Sequence, residues 1–140
     1  MVRSGIDIVE IHRVANAITK HGDRFLQRVF TPGEISYCES RKKNKYQHYA
    51  ARFAAKEAVF KVIDQNMPAR NTVSWCDIEV YNDPSGKPGI QLSAQGLKVL
   101  EKSGGSLLHL SLSHSDEYAI AQVLLESIDQ AVKQQGGCTS

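Results

Sequence analysis

Asp7, Glu57, Lys61 and His114 are the residues best placed to do chemistry, because they are polar groups set among apolar neighbours on three different elements. Two carboxylates brought together repel one another unless a cation or a proton sits between them, so a hard divalent ion is the natural occupant of an Asp7–Glu57 pair. Mg²⁺ takes one or two carboxylates and completes its octahedron with water and the phosphate oxygens of a substrate. Lys61, one turn beyond Glu57, would then neutralise phosphate charge, and His114, flanked by Ser113 and Ser115, would donate to another phosphate. A plainer account exists for each. Glu57 and Lys61 at i, i+4 also fit a surface pair worth about 0.3–0.5 kcal/mol, and Asp7 fits a solvated edge-strand carboxylate. A lone histidine at a strand end is more often structural. The chain has no glycine-rich phosphate loop and no dinucleotide fingerprint, so a phosphate-bearing ligand would have to be held by side chains.

These residues need elements to position them. From Tyr46 to Asn66 no Gly or Pro interrupts a run rich in Ala, Lys, Glu and Arg, which predicts one long helix. At about 100° per residue, Tyr46, Tyr49, Ala50, Phe53, Glu57 and Phe60 share one arc. The remaining circumference is mostly small and apolar, leaving a narrow polar strip through His48, Arg52 and Lys56. A carboxylate in mid-stripe needs a partner, since burying it alone costs several kcal/mol, in order of magnitude.

Val2 to Ile11 reads as a strand with Asp7 opposite Ile6 and Ile8, and Gly5 leaves room on the Asp7 face for a ligand or another backbone. Glu10 to Thr19 turns helical, Gly22 ends that helix, and Asp23 is placed to cap a short one through Val29. Thr31-Pro32-Gly33-Glu34 is a capping box opening a helix with Ile35, Tyr37 and Cys38. Beyond the 67–71 loop, Val73 to Tyr81 and Gly89 to Leu92 predict a hairpin across the turn-rich 82–88 segment. Ser93 caps a helix that stops at Gly104-Gly105, and Leu107–His114 and Tyr118–Leu125 predict an antiparallel pair. Helices and strands do not alternate strictly, so the expected fold class is α+β, a mainly antiparallel sheet packed with a long central helix.

At 140 residues the chain fits one domain, expected over residues 1–126, with a frayed or disordered tail at 127–140. No apolar run approaches the roughly 20 residues of a membrane helix, and the N-terminus lacks a signal-peptide core, which favours a cytoplasmic protein. Cys38, Cys76 and Cys138 match no zinc or redox spacing and read as reduced thiols. Net charge is only +2, too little to argue nucleic-acid binding. Basic residues nevertheless crowd the first third, and Arg13, Lys20, Arg24 and Arg28 would form one ridge across both early helices if the break between them is slight. That ridge is either a solvated face or a docking face for an anionic partner.

Four motifs, in this order, resemble the holo-acyl-carrier-protein synthase type of 4′-phosphopantetheinyl transferase, from about Val2 to Glu126. They are Gly5-Ile6-Asp7-Ile8-Val9; Phe53-Ala54-Ala55-Lys56-Glu57-Ala58-Val59-Phe60-Lys61; Asp77-Ile78-Glu79-Val80 followed by Gly86-Lys87-Pro88; and Leu110-Ser111-Leu112-Ser113-His114-Ser115. The resemblance implies transfer of 4′-phosphopantetheine from coenzyme A to a serine of apo acyl carrier protein, with release of 3′,5′-ADP, for fatty acid biosynthesis. It implies Mg²⁺ on Asp7 and Glu57, and Glu57 or a metal-bound water as base. It also implies Lys61 at the pyrophosphate, Arg52 and His114 at the 3′-phosphate, and the 83–88 backbone, with Gly86 and Pro88, at the adenine. A homotrimer with active sites between subunits is implied as well, Asp7 of one subunit meeting Glu57 and His114 of another, with Arg13, Lys20, Arg24 and Arg28 facing the acidic carrier. Lys56 matches the motif, and a helix-face salt bridge accounts for it equally. Pro32-Gly33 and Val59-Phe60 are less typical of the pattern. The rival readings are a non-enzymatic phosphate-ligand or nucleic-acid binding module and a metal-assisted phosphodiester hydrolase.

Overall fold

Strands β1 (Val2–Glu10), β4 (Leu107–His114) and β5 (Tyr118–Glu126) form an antiparallel sheet in the order β1-β5-β4. The computed structural model describes residues 1–63 and 72–128. The register sets Asp7 opposite Ala121 on the central strand, and Ala121 opposite Leu112 on β4. Helix α4 (Lys45–Val62) lies across the inner face of this sheet. Its Ala54, Ala55 and Ala58 meet Ala121 and Val123 in one fully buried core, small residues on both sides allowing close approach of helix and strand.

A second core forms where α1 (Ile11–His21), α2 (Asp23–Val29) and α3 (Pro32–Ser40) fold over the first half of α4, around Val14, Ile18, Phe30, Cys38 and Tyr49. The Thr31 capping box opens α3 as expected, Thr31 Oγ1 accepting from the Glu34 N–H and Glu34 Oε1 from the Thr31 N–H. Strands β2 (Ile78–Asn82) and β3 (Pro88–Leu92) make the expected hairpin, with Asp83 Oδ1 accepting the N–H groups of Ser85 and Lys87 to form the turn. Helix α5 (Ala94–Lys102) is capped by Ser93, whose hydroxyl accepts from the Gly96 N–H. The α+β architecture is therefore the expected one.

Several local expectations are corrected. The strand expected from Val73 begins only at Ile78, because Trp75–Asp77 is a 3-10 turn. Asp77 closes that turn by accepting from the Ser74 N–H and hydroxyl and from the Ser93 hydroxyl. Asp23 is not a cap: Gly22, at φ 57°, holds that position and Asp23 enters the first turn. Helix α4 ends at Val62 with Ile63 as its extended C-cap, one residue of the expected run that is not helical; residues 64–66 of that run and the 67–71 loop lie outside the described residues, as does the tail beyond Ile128. The supposed polar strip of α4 is no solvent face, since Arg52 is 2% exposed and Lys56 0%, whereas Phe53, Glu57 and Phe60 are half-buried. On β1 the isoleucines point outward, Ile6 59% and Ile8 57% exposed, while Gly5 and Asp7 face the helix.

Candidate active site

Asp7 and Glu57 come together within one chain, where β1 crosses the second half of α4. The inner face of β1 carries Gly5, Asp7 and Val9, and Gly5 has no side chain to hold the strand away from the helix. Glu57 is consequently half-buried and feels the Asp7 charge: burial raises its pKa above the ordinary glutamate value and Asp7 raises it further, with Lys61 opposing both. The Asp7 of one subunit is therefore not needed beside the Glu57 of another, which corrects that part of the assembly expected from the resemblance.

Lys61 does not form the expected surface pair with Glu57. Its ammonium crosses to β1, donating to the Ile6 carbonyl at 2.8 Å and to Asp7 Oδ1 at 3.1 Å. The other Asp7 oxygen, Oδ2, is buried and accepts no hydrogen bond. A buried carboxylate oxygen without a donor is costly unless something binds it. A buried oxygen without a donor, on a carboxylate whose charge reaches a second carboxylate, fits a divalent cation, which would be held by Asp7 and Glu57.

Arg52 and His114 lie elsewhere. Arg52 and Glu57, five residues apart on α4, point about 140° apart around the helix. The Arg52 guanidinium stacks 4.2 Å from the Tyr37 ring centre, Arg41 covers the same ring at 4.8 Å, and His48 meets it edge-on at 5.4 Å. His114 is exposed and close enough to His48 for their charges to interact; burial, Arg52, Arg41 and His114 together lower the His48 pKa. No acidic side chain pairs with Arg41 or Arg52 among the described residues, so two guanidiniums without a carboxylate partner gather on the Tyr37 ring. The sequence reading missed Tyr37, Arg41 and His48 as a group; the four-residue step from Tyr37 to Arg41 was its one local signal. Gly86 and Pro88 sit in the hairpin, which Arg52 tethers: its Nη2 donates to Asn82 Oδ1 at 2.8 Å, and Asn82 Nδ2 donates to the Gly86 carbonyl at 3.0 Å.

Lys56, one residue before Glu57, is structural. It makes a 2.6 Å ion pair with Glu34 and donates to the carbonyls of Val29 and Trp75, with no exposed surface on either charged group. Arg13, Lys20, Arg24 and Arg28 are all exposed on α1 and α2, with the Gly22 break between the two pairs. An open cleft of about 400 Å³ is lined by Ile8, Arg13, Val14, Phe25 and Phe53.

Where strand and helix touch, two carboxylates and an ammonium gather, a set of groups able to hold a divalent ion and a phosphate. Residues 3–123 match the family model of the 4′-phosphopantetheinyl transferase superfamily, and the chain belongs to that family. It is 48% identical over 123 residues to the holo-[acyl-carrier-protein] synthase of Koribacter versatilis, covering 88% of this chain and 96% of that one. It is 42% identical to the Solibacter usitatus holo-[acyl-carrier-protein] synthase, covering 91% and 99%. The Helicobacter pylori holo-[acyl-carrier-protein] synthase, solved in complex with coenzyme A, superposes with a TM-score of 0.74 at 32% identity, covering 89% of this chain and all (100%) of that one. The Bacillus anthracis holo-(acyl-carrier-protein) synthase, solved with CoA (3′,5′-ADP), gives 0.69 at 38% identity, covering 89% and 96%. Among the described residues no helix is long and apolar enough to cross a membrane.

Proposed function

We propose that this enzyme transfers 4′-phosphopantetheine from coenzyme A to a serine of an apo acyl carrier protein and releases 3′,5′-ADP, a step that serves fatty acid biosynthesis. The observation that carries the site assignment is the orphaned Asp7 Oδ2, together with a Glu57 whose charged form burial and then the Asp7 charge disfavour. Magnesium held there would supply polarisation of the diphosphate and neutralisation of the charge that develops on the leaving 3′,5′-ADP. The carrier serine oxygen attacks the β-phosphorus, the bond to the 3′,5′-ADP oxygen breaks, and the serine proton passes to Glu57, directly or through water. Lys61 contacts the diphosphate.

The 3′-phosphate falls to the cluster of His114, His48 and Arg41, with Arg52 behind it holding Asn82 and the adenine-lining turn at Gly86 and Pro88. One coenzyme A would have to pass around α4 to reach both this cluster and the carboxylate pair of the same chain. Separation of about 140° around the helix supports a site shared between copies. The outer face of the sheet, with Val2 63%, Ile6 59% and Ile8 57% exposed, supports burial of that face in a homotrimer. Arg13, Lys20, Arg24 and Arg28 dock the acidic carrier, steering encounter and fixing its register. The free thiols of Cys38 and Cys76 favour a reducing, cytoplasmic setting.

Incubation with coenzyme A, Mg²⁺ and an apo carrier, followed by intact-mass analysis of the carrier, tests the reading. A carrier heavier by one phosphopantetheine is expected. Cleaved coenzyme A with unmodified carrier would identify a hydrolase instead, and neither event would leave a binding module.

A further inference from the structure

Lys61 stands on the open side of the carboxylate pair. Its side chain is 49% exposed and that of Asp7 17%, and the ammonium bridges Asp7 Oδ1 and the Ile6 carbonyl while the buried Oδ2 has no donor. One ammonium against two carboxylates leaves the cluster a charge short of neutral. A divalent ion on the same carboxylates brings the total, Lys61 included, to one positive charge, and the ammonium is then repelled where it had been held. The lysine stem is long and flexible, so Nζ can leave without any backbone shift.

We infer that Lys61 has two stations: in the metal-free chain it neutralises Asp7 from the Oδ1 side, and on metal entry it is released to meet the diphosphate. This rests on the carboxylate-pair reading given above and adds to it an order of events. Lys61 competes with the metal, so the free chain binds metal weakly. The ammonium becomes available for phosphate only once the pair is loaded.

The test measures Mn²⁺ binding to the coenzyme-free protein by calorimetry and by electron paramagnetic resonance, without any turnover. Lys61→Met should bind Mn²⁺ about three- to fivefold more tightly, the equivalent of losing one partly exposed ion pair. Lys61→Arg, which keeps a cation in reach of Asp7, should stay near wild type, and Asp7→Asn should lose binding. Unchanged or weaker binding in Lys61→Met, with Asp7→Asn still defective, overturns the two-station inference and spares the metal site. Normal binding in Asp7→Asn overturns the metal site itself. Should Lys61→Met fail to fold, the wild-type protein carrying ¹³C-dimethylated lysines decides: the Lys61 signal, assigned with Lys61→Arg, should move on saturation with Mg²⁺, and an unmoved signal rejects the inference.

Discussion

Gly5 on β1 lies so close to Ala58 on α4 that a Cβ at position 5 would stand 2.6 Å from the Ala58 carbonyl oxygen and 2.8 Å from Val62 Cγ1. This contact sets the distance between the strand that carries Asp7 and the helix that carries Glu57. Gly5→Ala must push the two elements apart, against backbone that cannot rotate away. We expect a loss of about 1–3 kcal/mol in urea unfolding, together with weaker Mn²⁺ binding. A substitution that leaves both unchanged would show that the contact does not position the carboxylates.

Glu57→Gln separates stability from activity. Burial and the Asp7 charge raise the Glu57 pKa in the folded chain, so the folded state holds this proton more strongly than the unfolded one. The metal-free chain must therefore lose stability as pH rises from the unfolded glutamate value, 4.5, through the higher folded one. The neutral amide removes that loss. Glu57→Gln should melt higher than wild type in chelator at neutral pH, with a flatter pH profile, and transfer no phosphopantetheine. Near-normal transfer would remove Glu57 from the mechanism.

Lys56→Met should do the reverse. It leaves the Glu34 carboxylate buried opposite an apolar side chain, still receiving the N–H groups of Thr31 and Val80. Breaking one side of a buried pair costs about 3–5 kcal/mol, to be read from equilibrium unfolding. Residual folded enzyme should keep its KM for coenzyme A, because Lys56 tethers α2 and the 75–77 turn and touches no ligand surface.

The basic ridge is tested by charge reversal. Arg13→Glu with Arg24→Glu should raise the carrier KM by about tenfold at low salt, with the gap narrowing as salt screens both proteins. The KM for coenzyme A should move much less. An unchanged carrier KM would place the docking face elsewhere.

Ile8→Lys addresses assembly. Position 8 is 57% exposed in the isolated chain, so a lysine there costs the monomer little. In a trimer that buries the outer sheet face it would place unpaired charges at the interface. We expect a trimer mass for wild type in sedimentation, a monomer for Ile8→Lys with unchanged circular dichroism, and loss of transfer. A variant that stays trimeric would move the interface to another surface.

The elements themselves were legible in the sequence because their signals are local. The Thr31-Pro32-Gly33-Glu34 cap, the alanine-rich run of α4 and the alternation of β4 and β5 each act within a few residues, and the structure has all of them. The 75–77 turn was not legible, since part of what holds it, the Ser93 hydroxyl on Asp77, comes from 16 residues away. Which carboxylates and cations to watch could also be named from the sequence, and the motifs carried the family. Their partners could not. Lys61 follows Glu57 by one helical turn and yet pairs with Asp7, while Lys56, written as part of the same motif, is spent on Glu34 in the core. Helical spacing says only which residues share a face; what each face meets depends on strands and helices far away in the chain. Hydrogen-bond and charge partners were thus decided only by the packing of β1 and α3 against opposite sides of α4.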